Sequence, residues 1–184
     1  NEALEIIRKL WTREEVDYQG RYYHLERVTL NPPPIQKPHP PVWVAGRREA
    51  AMKRAARYGD GWFPYLYSPE RLEKSINTIK DFSRDDGRDI SHFQWGILLF
   101  GVFHEDRDKA TDLAAEALGS RYRFRGDWRE VVGQYCLLGT PDDWLRRLRE
   151  YIDAGARHIC IQPVGGNVEG QVELLSSEVL PYFR

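Results

Sequence analysis

The stretch Pro41-Val-Trp-Val-Ala45-Gly46-Arg47-Arg48-Glu-Ala-Ala-Met-Lys-Arg-Ala-Ala-Arg-Tyr58-Gly59-Asp60-Gly61-Trp62-Phe-Pro64 decides the fold. Val42–Ala45 is a short run, apolar throughout, which predicts a strand covered on both faces. Gly46 ends it, and Arg48–Tyr58 reads as a helix with Ala51, Ala55 and Ala56 along one side. Gly59 is a suitable stop for that helix, and Gly61–Pro64 predicts the next strand. A strand, a crossover helix and a second strand in so short a span form a parallel unit of an α/β protein.

Working outward, the same alternation continues. Ser68-Pro69 is a helix start, with serine as cap and proline at the first helical position; Leu72, Ile76 and Ile79 form the buried stripe of that helix. Phe93–His104 predicts a third strand, with Gly101 marking a bend or close approach. Helix is expected over Asp108–Leu118 and Asp127–Leu138, with Asp127 and Glu130 at capping-box spacing. A further helix starts at Thr140-Pro141 and stops at Gly155. His158–Gln162 is the fourth strand, with Cys160 expected in the core, and Val168–Tyr182 the closing helix. Upstream, Leu4, Ile7 and Trp11 mark a short amphipathic helix. Val16–Leu30 predicts a hairpin turning at Gly20. Asn31–Pro41 holds six of the eleven prolines, an extended connector. Two parts follow: residues 1–41 as helix, hairpin and connector, and 42–184 as four parallel strand–helix units. Periodicity alone leaves open whether these units are half of an eight-stranded barrel or a small open sheet.

Composition narrows the function classes. With 41% hydrophobic and 30% charged residues in 184, the chain can build a core and solvate it. Lys+Arg 27 against Asp+Glu 28 leaves a net charge of -1, so nothing drives sequence-independent nucleic-acid binding. No apolar run reaches the roughly 18 residues of a membrane span. Two cysteines fit a reduced, cytoplasmic setting better than a disulfide scaffold. The five histidines are scattered and the cysteines isolated, so no metal site is expected. The chain starts at Asn1 rather than Met, already in helical sequence, which suggests a piece of something longer.

The chemistry concentrates at the end of the first strand. Ala45 and Gly46 let a backbone approach a ligand closely. The first helical turn after them presents free N–H groups carrying about half a positive charge. Arg47 and Arg48 add fork-shaped cationic donors. Charge-assisted hydrogen bonds are worth about 1.5–3 kcal/mol each, against about 0.3–1 for the helix field, so the arginines dominate if they face the ligand. This pattern suits a phosphate. Solvent-facing arginines on an outer helix are the plainer alternative.

Here the sequence resembles the luciferase-like monooxygenase superfamily, which contains FMN-dependent monooxygenases and oxidoreductases using the deazaflavin coenzyme F420. The resemblance runs over nearly the whole chain. Leu10-Trp11 leading to Val16-Asp17-Tyr18-Gln19-Gly20-Arg21-Tyr22-Tyr23 is similar to the family's insertion before its fifth barrel strand. Pro34–Gly46 resembles its proline-rich signature, Ala55–Trp62 its Ala-Arg…Asp-Gly-Trp motif, and Gly139-Thr140-Pro141 through His158 its closing motif. Glu178-Val179-Leu180-Pro181 is similar to its usual ending. The resemblance implies a TIM barrel of which this chain carries the insertion hairpin and strands five to eight. It implies FMN or coenzyme F420 held by its phosphate at Ala45, Gly46, Arg47, Arg48, Gly61, Trp62 and Pro64. The family's Gly-Gly-Ser or Gly-Gly-Pro is here Ala45-Gly46-Arg47, where arginine compensates for an altered nest. Tyr65, His104, Gln162 and Pro163 lie at the strand ends where barrel enzymes react; Tyr65 and Gln162 are candidates to meet a small-molecule substrate, and His104 is a candidate for proton transfer, with a plain loop residue as the alternative. Arg121, Arg123 and Arg125 are candidates to clamp an acidic group; a solvated charge run is the plainer reading. The implied activity is oxygen insertion with reduced FMN or hydride transfer with coenzyme F420, with a non-catalytic cofactor- or phosphate-binding module as the alternative. A half barrel leaves open edges, so a separate N-terminal half or a second copy is the expected partner.

Overall fold

A computed structural model describes residues 1–122 and 125–183. Helix α1 (Glu2–Thr12) packs beside an antiparallel hairpin of β1 (Val16–Gln19) and β2 (His24–Val28). The proline-rich connector leads into alternating elements: β3 (Trp43–Val44), α2 (Glu49–Tyr58), β4 (Gly61–Trp62), α3 (Pro69–Asp85), β5 (Gln94–Phe103), α4 (Arg107–Arg121), α5 (Trp128–Tyr135), β6 (Leu137–Gly139), α6 (Pro141–Asp153), β7 (His158–Pro163) and α7 (Val168–Leu174). The C-terminal helix changes character past Leu174: a π turn spans Leu175–Val179 and a 3-10 turn Leu180–Phe183.

The sheet is parallel throughout. β3 pairs β4, β4 pairs the start of β5, and β7 runs along Gly96–Gly101 of β5. These are the four expected strands. A fifth, β6, pairs with Gly101–Phe103 through Leu137–Gly139, where the sequence pattern predicts helix. Leu137 and Leu138 read in sequence as the end of a helix over Asp127–Leu138; that helix stops at Tyr135, with Cys136 already extended. Three apolar residues do not distinguish a short strand from a helix end.

The two faces of the sheet differ. Ile97 and Leu99 turn outward into a core shared with Leu72, Ile76 and Ile79 of α3 and Leu148 and Tyr151 of α6. The alternate residues Gly96, Leu98 and Phe100 face inward. Register sets Leu98 beside Cys160 and Phe100 beside Gln162, and Tyr65 bridges to Leu98. A second cluster, built on Phe100, Val102, Leu118, Val132 and Leu138, packs α4 and α5 against the far end of β5.

The inner face corrects two expectations. The first strand is not covered on both faces: Val44 is buried, but Trp43 is 39% exposed. Its indole lies flat on the inner wall, where the absence of side chains at Gly61 and Gly96 makes room; a Cβ there would sit 2.7 and 2.9 Å from the ring. Cys160, expected in the core, is exposed on the same face. Helix starts were better marked. Ser68 caps α3 by accepting from the Arg71 amide. Asp127 accepts from the Arg129 amide; the reciprocal capping box stands at Thr140 and Asp143.

Candidate functional site

Parallel strands end together at one rim, and there the chain places its candidate groups. Gly46, after β3, adopts φ +126°, a backbone conformation open to glycine, and a Cβ would come within 2.8 Å of the Ala51 methyl. Three donors hold the turn from the side. The Trp62 indole N–H donates to the Gly46 carbonyl at 3.0 Å. The Tyr67 hydroxyl donates to the Arg47 carbonyl at 3.3 Å, and the Arg71 guanidinium to the same oxygen at 3.4 Å. With those carbonyls tied toward β4 and α3, the amides that open α2 are left for another partner. Within α2, Ala51 and Met52 donate to the Arg48 carbonyl, so the amides just before them belong to the unsatisfied first turn.

Arg47 and Arg48 are both exposed. Arg47 lays its guanidinium 5.2 Å over the Tyr65 ring, on the inner side of the rim. Arg48 is the N-cap residue of α2, and its side chain makes no capping bond. Tyr65 in turn stacks on Tyr122, 6.1 Å between centroids at 23°, and Tyr122 meets Phe100 edge-on. An aromatic strip thus connects the β3–α2 turn to the α4–α5 pair.

The other expected residues fall into three places. Trp62 and Pro64 are buried behind the turn: the indole pins Gly46, and the Pro64 carbonyl accepts from the Leu98 amide at 3.0 Å. Gly61 sits lower, under the Trp43 ring, where its lack of a side chain serves packing. Gln162 is on the inner face of β7, half-buried opposite Phe100. His104 follows β5; its Nδ1 accepts from the Asp106 amide at 2.9 Å in the turn that opens α4. Arg121 and Arg125 are exposed, and Arg123 lies outside the described residues. Tyr67, Arg71 and Tyr122 were not singled out by sequence. Their part depends on contacts between elements, which no local spacing encodes.

A cleft of about 670 Å³ lies between α1 and the proline-rich connector and shares no lining residue with the rim. Among the described residues, no group of three or more His, Cys, Asp or Glu is placed to hold a metal ion. Among the described residues, no helix is long and apolar enough to cross a membrane.

The chain matches relatives from end to end. It is 26% identical to an F420-dependent glucose-6-phosphate dehydrogenase of Microbacterium testaceum over the whole chain and 60% of the relative. It is 21% identical to a 5,10-methylenetetrahydromethanopterin reductase of Methanopyrus kandleri, over 62% of that protein. The fold superposes on an F420-dependent secondary alcohol dehydrogenase in complex with an F420-acetone adduct, at TM-score 0.83, 20% identity and 60% of that chain. It also superposes on the monooxygenase RslO1 of Streptomyces bottropensis, at TM-score 0.79, 25% identity and 60% of that chain. The chain therefore spans about three-fifths of the length of these relatives, consistent with a partial barrel. The family model for luciferase-like monooxygenase matches residues 1–158, and the chain belongs to that family.

Proposed function

We propose that this chain provides the cofactor-phosphate side of a deazaflavin-dependent oxidoreductase that transfers hydride to or from a small molecule. The observation that carries this reading is the pinned turn at Gly46. It sets the first-turn amides of α2 and two exposed arginines at the C-terminal rim of a parallel sheet, where barrel enzymes react. The residues present fit a phosphate-bearing group: a glycine that admits close approach, and guanidinium forks matched to phosphate oxygens. Gly46, Arg47 and Arg48 hold the phosphate, Trp62 and Tyr67 fix the turn, and Tyr65 offers a ring face beside it. Gln162 contributes a hydrogen-bonding amide from β7. When bound, coenzyme F420 supplies two-electron hydride chemistry at its deazaflavin ring.

The F420-dependent relatives support coenzyme F420. The likeness to the monooxygenase RslO1, at 25% identity, supports oxygen insertion as a second reading, for which FMN is the cofactor to test. Spectral titration with each cofactor, followed by turnover with reduced F420 and with reduced FMN under oxygen, tests both. Tight binding and oxidation of reduced F420 support the first. Binding without turnover in either case, in a chain joined to the remaining barrel strands, leaves a cofactor-binding module. Failure of both cofactors to bind overturns the reading.

A further inference from the structure

The segment between β4 and α3 holds Arg47 at both ends. Tyr65 still runs beside β5: it bridges to Leu98, and the Leu98 amide donates to the Pro64 carbonyl at 3.0 Å. In a continued strand, residues 65 and 67 would share one face. Here Leu66 adopts φ +50°, a left-handed backbone that a bulky residue takes only under strain. Its side chain is buried in the cluster built on Phe100 and Val102, which fixes the turn. Tyr65 packs against that same cluster, whereas Tyr67 is fully buried in the other one, with Ile97 and Leu99. The turn therefore sends the two tyrosines to different faces of the sheet, and both meet Arg47.

Tyr67 takes the backbone. Its hydroxyl donates to the Arg47 carbonyl at 3.3 Å and, with its one proton so used, accepts from the Ser75 hydroxyl at 3.2 Å. The Tyr151 hydroxyl donates to the Tyr67 carbonyl at 2.6 Å and steadies that residue from α6. Tyr65 takes the side chain. The Arg47 guanidinium lies 5.2 Å over its ring, and Tyr122 stacks with that ring at 6.1 Å and 23°. Tyr122 is seated in turn against Phe100 and Trp128. A free arginine loses rotamer entropy when it grips an anion. One already seated on a ring has lost part of it beforehand.

We propose that Tyr65 is a positioning residue for Arg47, and that the left-handed turn at Leu66 serves to part Tyr65 from Tyr67 so that guanidinium and carbonyl are held together. This rests on the phosphate reading of the Gly46 turn and assigns what readies its arginine.

The test is titration of the 184-residue chain with inorganic phosphate, followed by the NMR signal of the Arg47 Nε–H. Without phosphate, that signal should carry a ring-current shift, retained in Tyr65→Phe and lost in Tyr65→Leu. Tyr65→Leu should weaken phosphate binding about threefold, as loss of one exposed cation–π contact implies. Tyr65→Phe should leave it unchanged. Added to Arg47→Ala, Tyr65→Leu should lose nothing further, because the ring acts only through the arginine. Equal phosphate affinity in Tyr65→Leu and the unaltered chain overturns the proposal. So does an additive loss in the double variant, and so does an Arg47 signal that phosphate never moves. If Tyr65→Leu fails to fold, the ring-current shift in the unaltered chain decides, and its absence overturns the proposal. The expected pattern with phosphate, in a chain that binds neither FMN nor coenzyme F420, supports the positioning role and removes the cofactor reading.

Discussion

The Trp62 indole N–H donates to the Gly46 carbonyl at 3.0 Å, linking β4 to the turn after β3. Trp62 is fully buried, so its ring position is set by the core. The backbone orientation at the rim is therefore inherited from packing below it.

Gly46→Ala is expected to destabilise the chain by about 1–3 kcal/mol, because the residue sits in a conformation reserved for glycine and the added methyl meets Ala51. Trp62→Phe keeps the aromatic bulk and loses the donor, with an expected loss of about 1–2 kcal/mol. Urea unfolding of both variants measures this. A neutral Gly46→Ala would show that the turn is not held as described.

Arg88 closes the C-terminus of α2 from a distance in sequence. Its guanidinium donates to the Ala56 carbonyl at 2.7 Å and the Gly59 carbonyl at 2.6 Å, and it lies 3.5 Å from Asp60. Asp60 accepts from the Val42 amide at 2.8 Å and so aligns the entry to β3. Arg88→Ala leaves those carbonyls unpaired, with an expected loss of about 2–3 kcal/mol. Arg88→Lys recovers only part, since one ammonium cannot span the same fork. Equal stability of Arg88→Ala and the unaltered chain contradicts this role.

Most of the fold was legible because local signals agreed: proline and serine at helix starts, glycine at stops, and apolar runs between them. β6 was not, since Leu137-Leu138-Gly139 is too short to show a period and becomes a strand only against Gly101–Phe103. The exposure of Trp43 and Cys160 was hidden for a related reason. An apolar strand residue carries no mark of whether its face is covered within the chain. At the rim, Gly46 and Arg47 could be read from the strand–helix junction, whereas Tyr67 and Arg71 reach Arg47 across more than a turn of chain folded back by α3.

The insertion hairpin is tied to α1 by two carboxylates. Glu2 accepts from the Arg21 and Tyr22 amides at 2.9 and 3.0 Å, and Glu5 from the Tyr58 and Tyr18 hydroxyls at 2.5 and 3.1 Å. The Tyr22 amide holds the Glu2 carboxyl below its ordinary value of 4.5. The Tyr58 hydroxyl does the same for Glu5. Both pKa values are depressed by folding, so the attachment is complete above 4.5 and is lost as pH falls through the lower folded values. Exchange of the Arg21 and Tyr22 amides, followed from neutral to acid pH, should quicken in that window. Glu5→Gln should remove its part of the pH dependence. Exchange that is flat with pH contradicts the tie.

The two thiols should differ sharply. Burial pushes the Cys136 thiol up to about 12, leaving almost no thiolate at neutral pH. Cys160 is exposed. A maleimide reagent should modify Cys160 in the native chain and spare Cys136 until the chain unfolds. Modification of Cys136 in the native chain would show that α5 and β6 open readily.

Binding of FMN against riboflavin, and of coenzyme F420 against its ring fragment lacking the phosphate tail, tests the central claim most directly. The phosphate-bearing form of at least one pair should bind more tightly. Arg47→Ala should cut that affinity about tenfold or more, as loss of one charge-assisted contact requires, and leave the phosphate-free form unchanged. Equal affinity within both pairs, or a preference that survives Arg47→Ala together with Arg48→Ala, contradicts a phosphate site at the Gly46 turn.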